Sequence, residues 1–284
     1  MLSYLHGFHA GNHADVFKHS VLTLLLQALT VKPKPLTYLE THAGAGIYDL
    51  DSVQAHKTGE FGEGIGRLWA QQSEFPELSA YFRAIAALNP AGGFARYPGS
   101  PELARHGLRE TDRLILMELH PTEAQTLRHT LGGDTRIHLH QRDGFEGLPA
   151  LLPPTPPRGL VLIDPPYELK TDVRQVVAAV VAAHQRWAGG CYAIWYPRLA
   201  VQRDQSAQLL KELARHFPEL LIAELWTRPQ ADEFGMHGSG LALINPPWQF
   251  SLQLQALLPR LATVLAVTPD VLPNAGWSVK TISK

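Results

Sequence analysis

The chain has 284 residues, 45% of them hydrophobic and 18% charged, with a formal net charge of −1 when histidines are neutral. That composition supports a sizeable packed core and excludes a disordered chain, while the near-zero charge gives no bulk attraction for nucleic acid, so any such surface must be local. The single cysteine, Cys191, forms no internal disulfide, no apolar run is long enough to span a bilayer, and Met1 to His13 lacks the basic start and apolar block of a secretion signal; these point to a reducing, cytoplasmic setting.

Taken in order, Leu2 to Gly11 is too short to fold alone and must lie on something else. Residues 14–29 carry Val16, Phe17, Val21, Leu24, Leu25 and Ala28 at helical spacing, ended by Pro33 and Pro35. Lys18 and His19 in that helix fit a surface lysine and a satisfied histidine by residue type. His9 and His13 are four apart, but no Glu or Cys completes a zinc-like pattern. Leu36 to Glu40 reads as a strand running into Thr41, His42, Ala43, Gly44, Ala45 and Gly46, a loop in which glycines let backbone approach a nucleotide. The dinucleotide pattern needs a third glycine where Asp49 stands, which argues against NAD and fits S-adenosylmethionine, with His42 able to hydrogen-bond the methionine end.

The next good strand comes late, at Leu114 to Glu118, so residues 51–96 are expected to be a helical insertion within one domain spanning 1–284. Its helices fall at Gly64 to Gln72 and Pro76 to Leu88, and Tyr97 to Pro101 leads back to the core through a helix opened at Gly99 or Ser100. Glu118, closing its strand, can accept from both ribose hydroxyls. Arg136 to Gln141 is a further strand that delivers Asp143 and Gly144, a carboxylate and an N–H suited to an adenine edge. Arginines 96, 105, 109 and 113, and arginines 128, 136 and 142, form either solvated faces or a phosphate track.

Leu160 to Ile163 is a strand buried on both faces that must stop at Asp164, because Pro165 and Pro166 cannot donate to a sheet. Its carboxyl end is the ligand end of an open α/β sheet. An exocyclic amine on an aromatic base is a poor nucleophile; a carboxylate and a proline carbonyl can accept its hydrogens and help remove its proton. Tyr167 offers a face on which a flipped base can stack. Alone, Asp-Pro-Pro-Tyr also fits a plain turn. Gly190 to Trp195 and Leu220 to Trp226 read as later strands. A rival motif, Asn245, Pro246, Pro247 and Trp248, is assigned a structural turn on a strand expected near the sheet edge.

Together these residues resemble a class I S-adenosylmethionine-dependent methyltransferase of the N6-adenine type. The opening segment through Lys18 and His19, THAGAG, YPGSP, MELHP, RDGFEGL and LIDPPYE resemble the RlmJ family, which methylates N6 of an adenine in 23S ribosomal RNA. The resemblance implies a Rossmann-like α/β fold with a mostly parallel seven-stranded sheet and helices on both faces. It implies cofactor contacts at His19, His42, Ser100, Glu118, Asp143, Gly144 and Asp164, with Asp164 as proton acceptor. It places Tyr4 and His6 near the target adenine, with Lys18 helping to hold it. The expected partner is 23S rRNA free of, or only partly covered by, ribosomal proteins, and the expected state is a monomer that binds no metal. Alternatives are a DNA adenine methyltransferase, for which no recognition stretch follows Asp164, and a non-enzymatic RNA-binding protein.

Overall fold

The computed structural model describes residues 5–169, 171–231, 235–267 and 275–283. Its central sheet contains β1 (Thr37–Glu40), β2 (Arg113–Met117), β3 (Ile137–His140), β4 (Gly159–Ile163), β5 (Cys191–Leu199), β6 (Glu219–Trp226), β7 (Met236–Ile244) and β8 (Gly276–Ser283). In space they run β3-β2-β1-β4-β5-β7-β6-β8. The first five are mutually parallel; β7 enters antiparallel between β5 and β6, which makes β6 parallel to β5 again. This is the Rossmann-like order of class I methyltransferases, with its switch point between β1 and β4.

The sheet has eight strands rather than the seven expected. β8 pairs antiparallel with β6 along its whole length. It is half-exposed and mixes Trp277, Val279 and Ile282 with Ser278, Lys280 and Thr281, so it covers an otherwise open edge without offering a new sticky one.

The alternation within β4 explains why it is central. Leu160 and Leu162 join one core cluster and Val161 and Ile163 the other, so both faces of the strand are buried. The first face is covered by α1 (His13–Thr30) and, at the chain's far end, the helix Phe250–Leu265; the second by Asp172–Arg186 and Ser206–His216. Asn12 caps α1 by accepting from the Ala14 and Asp15 N–H groups, each at 3.0 Å. Residues 14–26 of α1 are buried all round, Lys18 and His19 included, which reverses the surface expectation for that pair.

What covers the outer side of α1 is the segment between β1 and β2. A two-stranded antiparallel ribbon, Ile47–Asp49 with Arg96–Pro98, brackets short helices at Val53–Thr58, Glu60–Glu63 and Ile65–Ala70 and a longer one at Ser79–Leu88. The chain then passes Gly99 into α2 (Ser100–Gly107), as Pro101 at the start of that helix foretold. Two more helices matter to the site: Pro121–Leu131 after β2, and α3 (Gly144–Ala150) after β3.

The rival motif lies on the far side of the sheet from Asp164. Asn245 follows β7, the third strand in from the β8 edge of the sheet. Because β7 runs antiparallel to β5, Asn245 emerges at the amino ends of the parallel strands, opposite Asp164. There its Nδ2 donates to the carbonyls of Ala188 (2.7 Å) and Gly190 (2.9 Å), as a turn residue does.

Candidate active site

A cavity of about 930 Å³ lies across the carboxyl ends of β1, β2, β3, β4 and β5. That is near the upper end for a small-molecule pocket and leaves room for two ligands. His6, Lys18, His19, His42, Ser100, Glu118, Asp143, Gly144, Asp164 and Tyr167 all line it. Tyr4 lies outside the described residues.

One half is built from loops that follow β1, β2 and β3. The loop after β1 is pinned between neighbours: Thr41 N–H donates to Leu162 O at 3.1 Å and Ala43 N–H to Met117 O at 2.9 Å. Gly44 has φ +61°, and a Cβ there would stand 2.3 Å from the Tyr48 hydroxyl, so only glycine fits. Its N–H donates to Glu118 Oε2 (2.8 Å), while Glu118 Oε1 accepts from His120 N–H (2.7 Å). The Glu118 carboxylate is thereby oriented, and each oxygen keeps a second acceptor position for a ligand hydroxyl. Asp143 caps α3 with Oδ1 alone, accepting from Phe145 and Glu146 N–H groups at 2.7 and 3.2 Å. Its other oxygen and the Gly144 N–H, which as the first helical N–H has no intrahelical partner, form a donor and acceptor side by side.

His42 is braced by the Thr41 hydroxyl at 2.8 Å and the edge of Phe145, and burial lowers its pKa to about 4, so the ring is neutral. His19 is more enclosed. Its Nδ1 shares a 2.7 Å hydrogen bond with the Tyr97 hydroxyl, and burial lowers it to about 3. Ser100 donates to Glu40 Oε1, and Tyr38 OH donates to Glu40 Oε2 at 2.8 Å. Burial raises the Glu40 carboxyl to about 8, so the floor of this half is an uncharged hydrogen-bonded cluster.

The other half is charged. Asp164 follows β4 and is 14% exposed; its Oδ2 accepts from Lys18 Nζ at 2.5 Å. The same ammonium lies 3.0 Å from Asp15 Oδ1 and 5.7 Å from the centre of the Trp195 ring. Asp15 is almost fully buried, and its Oδ2 receives His6 Nε2 (2.8 Å) and Gly11 N–H (3.0 Å). Burial works against the Asp15 charge, but His6 and Lys18 outweigh it and hold the carboxyl well below its ordinary range. For Lys18 the two carboxylates likewise overcome burial and raise the ammonium, fixing its proton. Tyr167 sits at φ +51°, a left-handed conformation rare for an aromatic residue, secured by its hydroxyl donating to Trp195 O at 2.7 Å. Ile163 and Ile194 are register partners, so Trp195 stands beside Asp164 on the next strand.

Asp15, Glu40 and Trp195 were missed as site residues. Glu40 carried a signal, an acidic residue closing a strand at the switch point; Asp15 carried none, because its partners His6 and Lys18 meet only when the N-terminal segment docks. The arginine clusters turn out to be structural in large part. Arg105, Arg109, Arg136 and Arg142 pair with Glu102, Asp112, Asp134 and Glu146. Among the described residues no group of His, Cys, Asp and Glu could hold a metal ion. No described helix is long and apolar enough to cross a membrane.

Residues 33–279 match the family described as ribosomal RNA large subunit methyltransferase D, RlmJ. The chain belongs to the RlmJ family. Among its relatives, ribosomal RNA large subunit methyltransferase J of Escherichia coli is 45% identical over 280 residues, covering 98% of this chain and 99% of that protein. The protein of the same name in Haemophilus influenzae is 46% identical over 286 residues, covering 100% and 99%. A crystal structure of a Legionella pneumophila protein superposes with a TM-score of 0.88 at 38% identity, covering 97% of this chain and 99% of that one. Membership thus extends over the glycine loop, the Asp164 corner and nearly all of the sheet.

Proposed function

We propose that this RlmJ-family chain transfers a methyl group from S-adenosylmethionine to the exocyclic N6 of an adenine in 23S ribosomal RNA, with the target base flipped into the Asp164 to Tyr167 corner. The observation that carries this is the position of Asp164. Its carboxylate stands at the carboxyl end of β4, on the boundary between the glycine-loop half of the cavity and the half bounded by His6, Tyr167 and Trp195. The names of the Escherichia coli and Haemophilus influenzae relatives support RNA as the acceptor.

The residues present fit the cofactor. Glu118 supplies acceptors for the ribose hydroxyls; the spare oxygen of Asp143 and the Gly144 N–H match an adenine amine and ring nitrogen. Neutral His42, with His19 and Ser100 behind it, lines the methionine end. When bound, the cofactor supplies a methyl group activated by its sulfonium. Everything else falls to the chain. Tyr167 gives the base a stacking face, with His6 lining the same half of the cavity and Tyr4 assigned to the base by the family resemblance. Lys18 occupies Asp164 Oδ2, so Oδ1 and the Pro165 carbonyl remain to accept the two amine hydrogens and direct the nitrogen lone pair at the methyl group. Asp164 then takes the proton lost from N6; Lys18, already fully protonated, cannot.

Within this reading the chain is one domain with residues 51–96 as a helical subdomain. It acts in the cytoplasm as a monomer on rRNA bare of, or only partly covered by, ribosomal proteins. The test is to incubate purified protein with labelled cofactor and either protein-free 23S rRNA or duplex DNA, then map the product by mass spectrometry. N6-methyladenosine at one position in the RNA, none in the DNA and none with Asp164→Ala is the expected result; modification of DNA alone would overturn it.

A further inference from the structure

The acceptor half contains a buried carboxylate that the reaction as written above does not use. Asp15 is in the first turn of α1, yet it does not cap that helix, because Asn12 already takes the available N–H groups. Its two oxygens point elsewhere: Oδ2 to His6 and to the Gly11 N–H, Oδ1 to Lys18, with His19 Nε2 3.9 Å away. Lys18 carries the contact on to Asp164. The result is one unbroken chain of polar contacts from the N-terminal segment to the proposed proton acceptor, with half-buried His6 and Asp164 at its ends and buried Asp15 and Lys18 between them.

Stability does not explain this arrangement. Desolvating a carboxylate and an ammonium consumes most of what their attraction returns, and well-packed apolar residues hold a core at least as well. What a fully partnered charge network does provide is geometry: each member has one place to be. The insertion reinforces it. Ile65 N–H donates to Gly11 O at 2.8 Å, and Asn12 Nδ2 and His9 Nδ1 both reach Glu60. The backbone that donates to Asp15 is therefore itself clamped.

We propose that Asp15 is a positioning residue for methyl transfer, holding the Lys18 ammonium on Asp164 Oδ2 so that Oδ1 faces the target amine. This rests on the proposed role of Asp164. Lys18 has no free valence for a proton, so the network works by orientation and charge and not as a relay.

The test is a cycle of Asp15→Asn, Lys18→Gln and the double variant, measured with full-length protein on protein-free 23S rRNA. Asp15→Asn is expected to lower kcat about 10- to 100-fold, in the range of a mispositioned acid–base group, while cofactor affinity by titration calorimetry changes less than about twofold. The double variant is expected to be no slower than Lys18→Gln alone, because Asp15 acts through Lys18. That comparison also serves if Asp15→Asn alone does not fold, since the double variant removes both charges together. Wild-type kcat in Asp15→Asn, equal losses of kcat and cofactor binding, or independent, multiplying effects in the cycle would each overturn the proposal. The Asp164→Ala control keeps the two claims apart: if wild type methylates and Asp164→Ala does not, the proposed reaction stands whatever Asp15 does.

Discussion

The two halves of the cavity are built by different means. On the cofactor side several polar groups are placed by their own neighbourhood, Asp143 by the helix it caps, His42 by the preceding threonine and one Glu118 oxygen by the His120 N–H, although the other Glu118 oxygen is held by Gly44 across the sheet. On the acceptor side the decisive contact, Lys18 to Asp164, joins residues 146 apart in sequence and depends on α1, the N-terminal segment and β4 meeting correctly. The share of local placement makes the first half the more tolerant of the two. Long-range placement makes the second half conditional on the whole fold, which suits a site that must assemble around a flipped base.

Mutation can break this contrast. The largest effect is expected from Asp164→Ala: loss of methyl transfer by about 10³-fold or more, with a far smaller change in cofactor affinity and near-normal melting, because Lys18 keeps Asp15 as its partner. Substantial turnover in that variant would remove the acceptor half from the mechanism. Glu118→Ala is expected to act on the other half, weakening cofactor binding by about 10- to 100-fold in calorimetry, the order of one or two lost hydrogen bonds to a charged group. RNA binding measured without cofactor should be untouched; a matching loss there would mean that the halves are not separable.

A smaller effect is expected with pH. The Glu40 carboxyl, raised to about 8 from an ordinary 4.5, contributes stability that is complete below pH 4.5 and lost as pH climbs towards 8. His13, His19 and His42, lowered to about 4, 3 and 4 from 6.5, contribute stability that is present above pH 6.5 and lost as pH falls towards those values. Melting temperature should therefore peak near pH 6.5, and Glu40→Gln should flatten only the alkaline side; an unchanged alkaline slope in that variant would contradict the protonated assignment. The smallest effect is expected at Asn245→Ala, a loss of about 1–2 kcal/mol in denaturant unfolding for two hydrogen bonds, with kcat as in wild type. Impaired catalysis there would revive the second motif.

The same contrast governs what the sequence could disclose. Strand ends following apolar runs are local signals, so Glu118, Asp143 and Asp164 were legible, as was the order that sets β4 beside β1. Strand polarity is not local. Asn-Pro-Pro-Trp and Asp-Pro-Pro-Tyr look alike as strings, and only the reversal of β7 sends the first to the far rim. The burial of Lys18 was unreadable for a related reason: α1 has an ordinary apolar stripe, and its outer face is covered by chain that arrives from residues 53–88. β8 was passed over because its alternation is half polar, as an edge strand's must be.

Where the insertion grips the N-terminal segment, side-chain contacts to Glu60 are joined by one of main chain on main chain, Ile65 N–H to Gly11 O. A Cβ at position 64 would stand 2.1 Å from the Gly11 carbonyl oxygen, so the closeness of that contact depends on Gly64 having no side chain at all. Most side chains of the insertion can drift without loosening this latch, whereas a single methyl group at Gly64 would push the two backbones apart and unseat the acceptor end of the cavity from more than 50 residues' distance along the chain.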